Sequence, residues 1–184
     1  MSIKKAFSHD CIILDACCII SLYASGKMRP ILEAIPKSLS VAAYVKDNEA
    51  LNIYIRPNNK EAIDLEPFIN DNILLVVDIE TEEEKNTYID LSMKLDDGEA
   101  ITGAIALNRN WAMATDDAAT TRLLQSGISD IALVSTLELV KNWFEVNKEN
   151  EEIVRETLSN IRVRGKYEPN RNHPLRGWWD TMLK

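Results

Sequence analysis

Short unbroken apolar runs alternate with longer amphipathic stretches along this chain, and that alternation predicts strands separated by helices. CIIL at 11–14 is apolar at every position, as expected of a parallel strand buried on both faces. ACCIISLYAS follows as a helix that Gly26 can end, and Pro30 and Pro36 punctuate the next turn. VAAYVKDNEAL (41–51) reads as a helix carrying Glu49 near its end. IYIRPNN reads as a strand or extended loop stopped by Pro57, and 60–70 as a helix. ILLVVDI (73–79) has the clearest strand pattern in the chain.

Thr81 and Glu84 have capping-box spacing at the head of EEEKNTYIDLSMKL. Gly98 separates that helix from EAITGAIALNR, whose small residues suit close packing. WAMAT (111–115) predicts a strand, DDAATTRLLQSG a helix ending at Gly127, and IALV (131–134) another strand. Helices are expected over 136–146 and 149–161. The remaining RVRGKYEPNRNHPLRGWWDTMLK is kept irregular by Gly165, Pro169, Pro174 and Gly177.

Strands alternating with helices imply βαβ units and a mainly parallel central sheet covered on both faces. The expected fold class is therefore α/β, a three-layer α/β/α sandwich with extra C-terminal helices and an irregular tail. All 184 residues fit one domain, with a core at about 11–135 and an extension at about 136–184. Sheets of this kind bind ligands at the carboxyl ends of their strands, near the switch in strand order. Asp15 follows one predicted strand and Asp116-Asp117 follow another, so these acids are expected on one rim of the sheet.

Each acid also has a local explanation. Asp15 suits a helix N-cap, a role contributing about 1 kcal/mol. Asp96 and Glu99 have capping-box spacing, and the helix dipole favours acids there; for Asp96 and Asp97 this structural role is preferred. Thr115 can cap a helix whose first turn holds Asp116 and Asp117. Glu49 alone would be a solvated helix residue. If the acids converge, however, their like charges raise one another's pKa, and a bound cation is the usual remedy.

The net charge of −8 argues against general affinity for polyanions, but it is unevenly spread. Residues 1–148 hold 14 Lys/Arg against 23 Asp/Glu, whereas 162–176 hold Arg162, Arg164, Lys166, Arg171 and Arg176 against Glu168 alone. Cys11, Cys17 and Cys18 form one apolar cluster with no second set, as expected of free thiols in a reducing compartment. With His9 and His173 the sole histidines, a histidine-based metal site has little support. The first 26 residues imitate a signal peptide, but Asp15 and His9-Asp10 spoil the match. No stretch approaches the roughly 20 apolar residues of a membrane span, so a soluble, cytoplasmic protein is expected. There is no G-x-S-x-G, Gly-rich phosphate loop or G-x-G-x-x-G, which disfavours a serine hydrolase and nucleotide cofactors.

Taken together, LDAC, VAAYVKDNEA, DDGEAITGAIAL and ATDD, in that order, resemble the PIN-domain ribonucleases, especially the toxins of type II toxin–antitoxin pairs. The resemblance covers roughly residues 11–135. It carries the family's four acids onto Asp15, Glu49, Glu99 and Asp117 as catalytic residues, with Glu99 where Asp is commoner and with Asp116 or Asp117 fitting the fourth place. Metal ligation is implied for Asp15, Glu99, Asp117 and Asp116. The resemblance implies a PIN-like fold and Mg2+- or Mn2+-dependent endonucleolytic cleavage of RNA by water, without a covalent intermediate. It also implies a cognate antitoxin partner, and homodimers are frequent in the family. Competing expectations are a metal-dependent nuclease acting on DNA or branched structures, and a non-catalytic α/β interaction module whose acids are caps.

The C-terminal stretch has two readings. Arg162, Arg164, Lys166, Arg171 or Arg176 can contact RNA phosphates, with Tyr167, Trp178 or Trp179 stacking on bases. Alternatively the tail wraps the body, its tryptophans buried and its arginines solvated or paired. The second is preferred, because adjacent tryptophans near a terminus often act as docking anchors.

Overall fold

The computed structural model describes residues 3–56, 58–126 and 131–184. In chain order its elements are α1 (Ile3–Ala6), β1 (Cys11–Leu14), α2 (Ala16–Ala24), α3 (Met28–Glu33), β2 (Ser38–Ala42) and α4 (Ala43–Asn48). Then come β3 (Asn52–Arg56), β4 (Asn59–Ala62), α5 (Glu66–Asn70), β5 (Leu75–Val77), α6 (Glu82–Ser92) and α7 (Asp97–Asn108). The chain continues through β6 (Ala112–Ala114), α8 (Ala118–Gln125), β7 (Leu133–Val134), α9 (Thr136–Asn147), α10 (Glu151–Arg164) and α11 (Arg176–Met182).

Five strands form one parallel sheet in the order β5-β2-β1-β6-β7. β1 lies at its centre, buried throughout, as its unbroken apolar run requires. Helices α4, α6 and α7 pack together, with α7 lying against β1, β2 and β6; α2, α3 and α9 pack with one another, and α10 against α2. The expected α/β/α sandwich with C-terminal helices is what the chain forms. From β1 the chain runs outward to β2 and β5, then returns to β6 on the other side of β1. The strand order therefore reverses between β1 and β6, where open α/β sheets bind ligands.

Several boundaries differ from expectation. The start of VAAYVKDNEAL is strand: β2 takes Val41 and Ala42, paired with Leu14 on β1 and with Val76 and Val77 on β5, and the helix begins at Ala43. Ser40, which weakened the apolar signal there, is fully buried with its hydroxyl 3.4 Å from the Cys11 thiol. Residues 60–70 are not one helix. Asn59–Ala62 pairs antiparallel with β3, and only Glu66–Asn70 is helical. Pro30 lies inside α3 rather than in a turn. The apolar run 73–79 pairs only over Leu75–Val77, because β2 is the single neighbour of this edge strand. Gly26, with φ +71°, follows α2 as expected, and the Thr81–Glu84 capping box is complete. The expected stops at Pro57 and Gly127 lie outside the described residues.

The tail is docked. Trp179 is buried with its ring 6.1 Å from Tyr167 in a T-shaped contact, and Trp178 lies 6.4 Å from Phe144. α11 forms inside the segment expected to be irregular, and Arg155 Nε donates to the Met182 carbonyl at 2.9 Å. The three thiols are free. Among the described residues, no helix is long and apolar enough to cross a membrane.

Candidate active site at the β1–β6 switch point

β1 ends at Leu14, yet the Asp15 N–H still donates to the Ala114 carbonyl of β6 at 3.0 Å, so the rim of the sheet fixes the Asp15 backbone. Its side chain caps α2: Oδ1 accepts from Ala16 N at 2.8 Å, while Oδ2 accepts from Thr115 Oγ1 at 3.0 Å and Cys17 Sγ at 3.2 Å. Cap and rim position are thus one arrangement. Asp15 is 2% exposed, and its pKa is raised by burial and further by the charge of Asp117, against the lowering effect of those hydrogen bonds.

Thr115 joins the two strand ends. Its hydroxyl donates to Asp15 Oδ2 and accepts from the Asp117 N–H at 3.1 Å. Thr115 is therefore not the cap of α8. Asp117 is, its Oδ1 accepting from Ala119 N and Thr120 N at 2.7 Å each. A carboxylate serves two orphan N–H groups better than a hydroxyl can.

Asp116 points elsewhere. Its Oδ1 accepts from Thr136 N at the start of α9 at 3.0 Å, and its Oδ2 has no hydrogen-bond partner. Burial raises its pKa to about 6, against the lowering influence of the Thr136 and Tyr167 hydroxyls. Of the two adjacent acids, Asp117 raises the pKa of both Asp15 and Glu99, whereas Asp116 is committed to α9.

Glu99 lies in the first turn of α7. Its pKa is raised by burial, then by the charges of Asp117 and Asp15, so three carboxylates from three separate segments share one field. Glu49 enters from the C-cap of α4. A Cβ on Gly98 would run into the Glu49 carboxyl group, so the missing side chain lets that group approach the α7 N-terminus. Gly98 is helical rather than a break before the helix. Asp97 is held by Tyr88 Oη at 3.0 Å and Tyr44 Oη at 3.3 Å, and Asp96 occupies the N-cap without a side-chain bond.

No Lys or Arg pairs with Asp15, Glu49, Glu99, Asp116 or Asp117 among the described residues. Nor, among those residues, are three His, Cys, Asp or Glu side chains arranged to hold a metal ion directly. Mg2+ retains several waters and is commonly held by one or two carboxylates, so the donor set fits a hydrated hard cation better than an all-protein cage. The raised carboxylates and oxygen-only donors suit such an ion. The thiol beside them donates to Asp15 and is itself raised in pKa, with burial and the charges of Asp15 and Asp116 outweighing the lowering contact with Cys18.

Three contributors escaped the sequence reading: Thr115 as bridge, Cys17 as a donor to Asp15, and Gly98 as the space for Glu49. The Thr-Asp-Asp order after a strand carried part of the signal. The partner of Thr115 lies a hundred residues away and carried none. Of the tail cations, Arg164 donates to the Ala24 carbonyl at 3.2 Å. Arg176 is held by Glu168, Asp180 and the Pro169 carbonyl, and Lys166 lies 5.0 Å from the Tyr54 ring. Arg162 and Arg171 are exposed. No family model, curated protein or solved structure matches the chain.

Proposed function

We propose that the chain is a metal-dependent endoribonuclease whose active site is the acid cluster at the β1–β6 switch point. The observation that supports this reading is the raising of Asp15 by burial and the charge of Asp117, and of Glu99 by burial and the charges of Asp117 and Asp15, three carboxylates from distant segments with no Lys or Arg paired to them among the described residues. Of the three, Asp15 is buried, and burying a charge without a counter-ion costs several kcal/mol, a cost that a bound cation would offset.

Asp15, Glu99 and Asp117 are the residues that would hold Mg2+ or Mn2+. Bound there, the ion would polarise a phosphodiester and lower the pKa of a water. Thr115 fixes the spacing of Asp15 and Asp117 through one hydroxyl. Glu49, drawn to the α7 N-terminus beside Gly98, orients the attacking water or supports a second ion. Asp116 anchors α9 and orients the rim from behind. The order of motifs resembling the PIN-domain ribonucleases supports RNA as substrate, a cytoplasmic toxin role, a cognate antitoxin and a homodimeric assembly.

The capping roles of Asp15 and Asp117 favour one alternative, a non-catalytic interaction module. The test is cleavage of a mixed RNA pool with Mg2+ or Mn2+, with single-stranded DNA as competitor. Metal-dependent RNA cutting that Asp15→Asn and Asp117→Asn abolish supports the proposal. Preferential cutting of DNA redirects it to a DNA nuclease, and inert, well-folded, antitoxin-free protein favours the module.

A further inference from the structure

Beside the acid cluster lies a groove of about 500 Å³ between the start of α8 and the turn at 170–174. It shares Thr115 and Asp116 with the site but has the opposite character, because two guanidinium groups line it. Arg122, in the last turn of α8, donates through Nε to the Ala118 carbonyl at 3.0 Å and pairs with no acid among the described residues. Arg171 is exposed and, among the described residues, makes no hydrogen bond or ion pair. Of the tail arginines outside the groove, Arg164 and Arg176 are tied to backbone or acids and Arg162 is exposed.

The turn presenting Arg171 is ordered from within. Asn170 Oδ1 accepts from Asn172 N at 2.9 Å, His173 N donates to Asn170 O at 3.1 Å, and Arg176 Nη1 holds the Pro169 carbonyl. His173 Nδ1 accepts from Leu175 N at 3.0 Å, which places the proton of the neutral ring on Nε2, a donor without a protein partner. Gln125 and Asn172 add amides on the groove wall.

We propose that this groove is the subsite for the nucleotide adjoining the cleaved phosphodiester of single-stranded RNA, with Arg122 and Arg171 gripping its phosphate. The proposal rests on the ribonuclease reading above. A chain of net charge −8 needs a local positive path to bring a polyanion to an acidic site, and two guanidiniums next to that site, neither paired with an acid among the described residues, supply it. Gln125 and Asn172 face the base edges that a splayed, unpaired strand exposes. Sequence reading singled out Arg171 among five tail cations without distinguishing it. Arg122 it missed, since a lone arginine on a helix carries no signal until the fold sets it across from Arg171.

The test is fluorescence anisotropy of a labelled single-stranded RNA with full-length protein in EDTA, where nothing is cut, across a KCl series. Wild type is compared with Arg122→Glu, Arg171→Glu and the charge-matched Lys85→Glu on α6, whose folding is checked by thermal melts; Arg122→Gln guards against a helix effect in the first variant. Each groove variant is expected to weaken binding about tenfold and to flatten the slope of log K against log salt by about 0.7 for each phosphate no longer neutralised. Lys85→Glu should match wild type. Wild-type binding and slope in both groove variants, in a protein that cleaves RNA, would overturn the subsite and leave the activity standing. A uniform loss including Lys85→Glu would overturn it too, by showing that overall charge alone governs binding. Wild type that neither binds nor cleaves RNA would remove both readings.

Discussion

Asp15 and Glu84 are equally buried, each 2% exposed, yet their environments push their carboxyl groups in opposite directions. Glu84 sits in a matched setting. Arg109 Nε donates to Oε1 at 2.6 Å and Nη2 to Oε2 at 3.3 Å, the Glu80 N–H donates to Oε2 at 2.7 Å, and the Thr81 cap completes the set. The Arg109 guanidinium beside it lowers its pKa. Asp15 receives only an amide, a hydroxyl and a thiol, with Asp117 and Glu99 nearby, and burial raises its pKa. Glu84 ties α6 to the end of α7 and needs nothing more. Asp15 has neutral donors and no cationic partner among the described residues. This contrast, rather than the number of acids, separates a structural carboxylate from a candidate ligand.

The contrast breaks most sharply under substitution. Asp15→Asn and Asp117→Asn should each lower RNA cleavage by more than the roughly 10–100-fold typical of groups one shell removed from a metal, while the melts stay near wild type because asparagine still caps a helix. Glu84→Gln should do the reverse. It removes the charged partner nearest Arg109, which keeps Glu80 at 3.7 Å and the Asp78 carbonyl at 2.6 Å, costing about 2 kcal/mol in a denaturant melt, while cleavage per folded molecule persists.

Metal addition sharpens the same comparison. At a hundred times its Kd, Mg2+ or Mn2+ should stabilise wild type by about 2.7 kcal/mol, or roughly 5–10 °C in melting temperature. Glu84→Gln should gain as much and Asp15→Asn almost nothing.

The smallest effect is in pH. Asp116 is raised from an ordinary 3.8 to about 6 in the folded chain, so its contribution to stability is full below 3.8 and is lost as pH rises through 6. Glu84 is lowered from 4.5, so its contribution is present above 4.5 and lost as pH falls below it. In metal-free melts, Asp116→Asn should flatten the decline between 3.8 and about 6, and Glu84→Gln the loss on the acid side.

Much of this was legible in the chain. CIIL, the Thr81–Glu84 box and the Asp residues closing two strands are local signals, and each formed as read. β4 was not legible, because Asn-Lys-Glu-Ala has no strand propensity and becomes a strand only by pairing with β3. β2 was hidden by two serines, one of them fully buried. At the site, the acids were proposed from order and spacing, but that Asp116 turns to α9 while Asp117 caps α8 follows from where those helices begin. The Thr115 bridge depends on β1 and β6 becoming neighbours, which only the assembled sheet decides.

Electron paramagnetic resonance of Mn2+ titrated with protein near neutral pH tests the central claim most directly, since it needs no knowledge of the substrate. Wild type and Glu84→Gln should remove the free-ion signal at a stoichiometry of one or two ions per chain, and the Asp15→Asn, Asp117→Asn double variant should leave it intact. No uptake by wild type at millimolar Mn2+, or equal uptake by the double variant, would contradict the account.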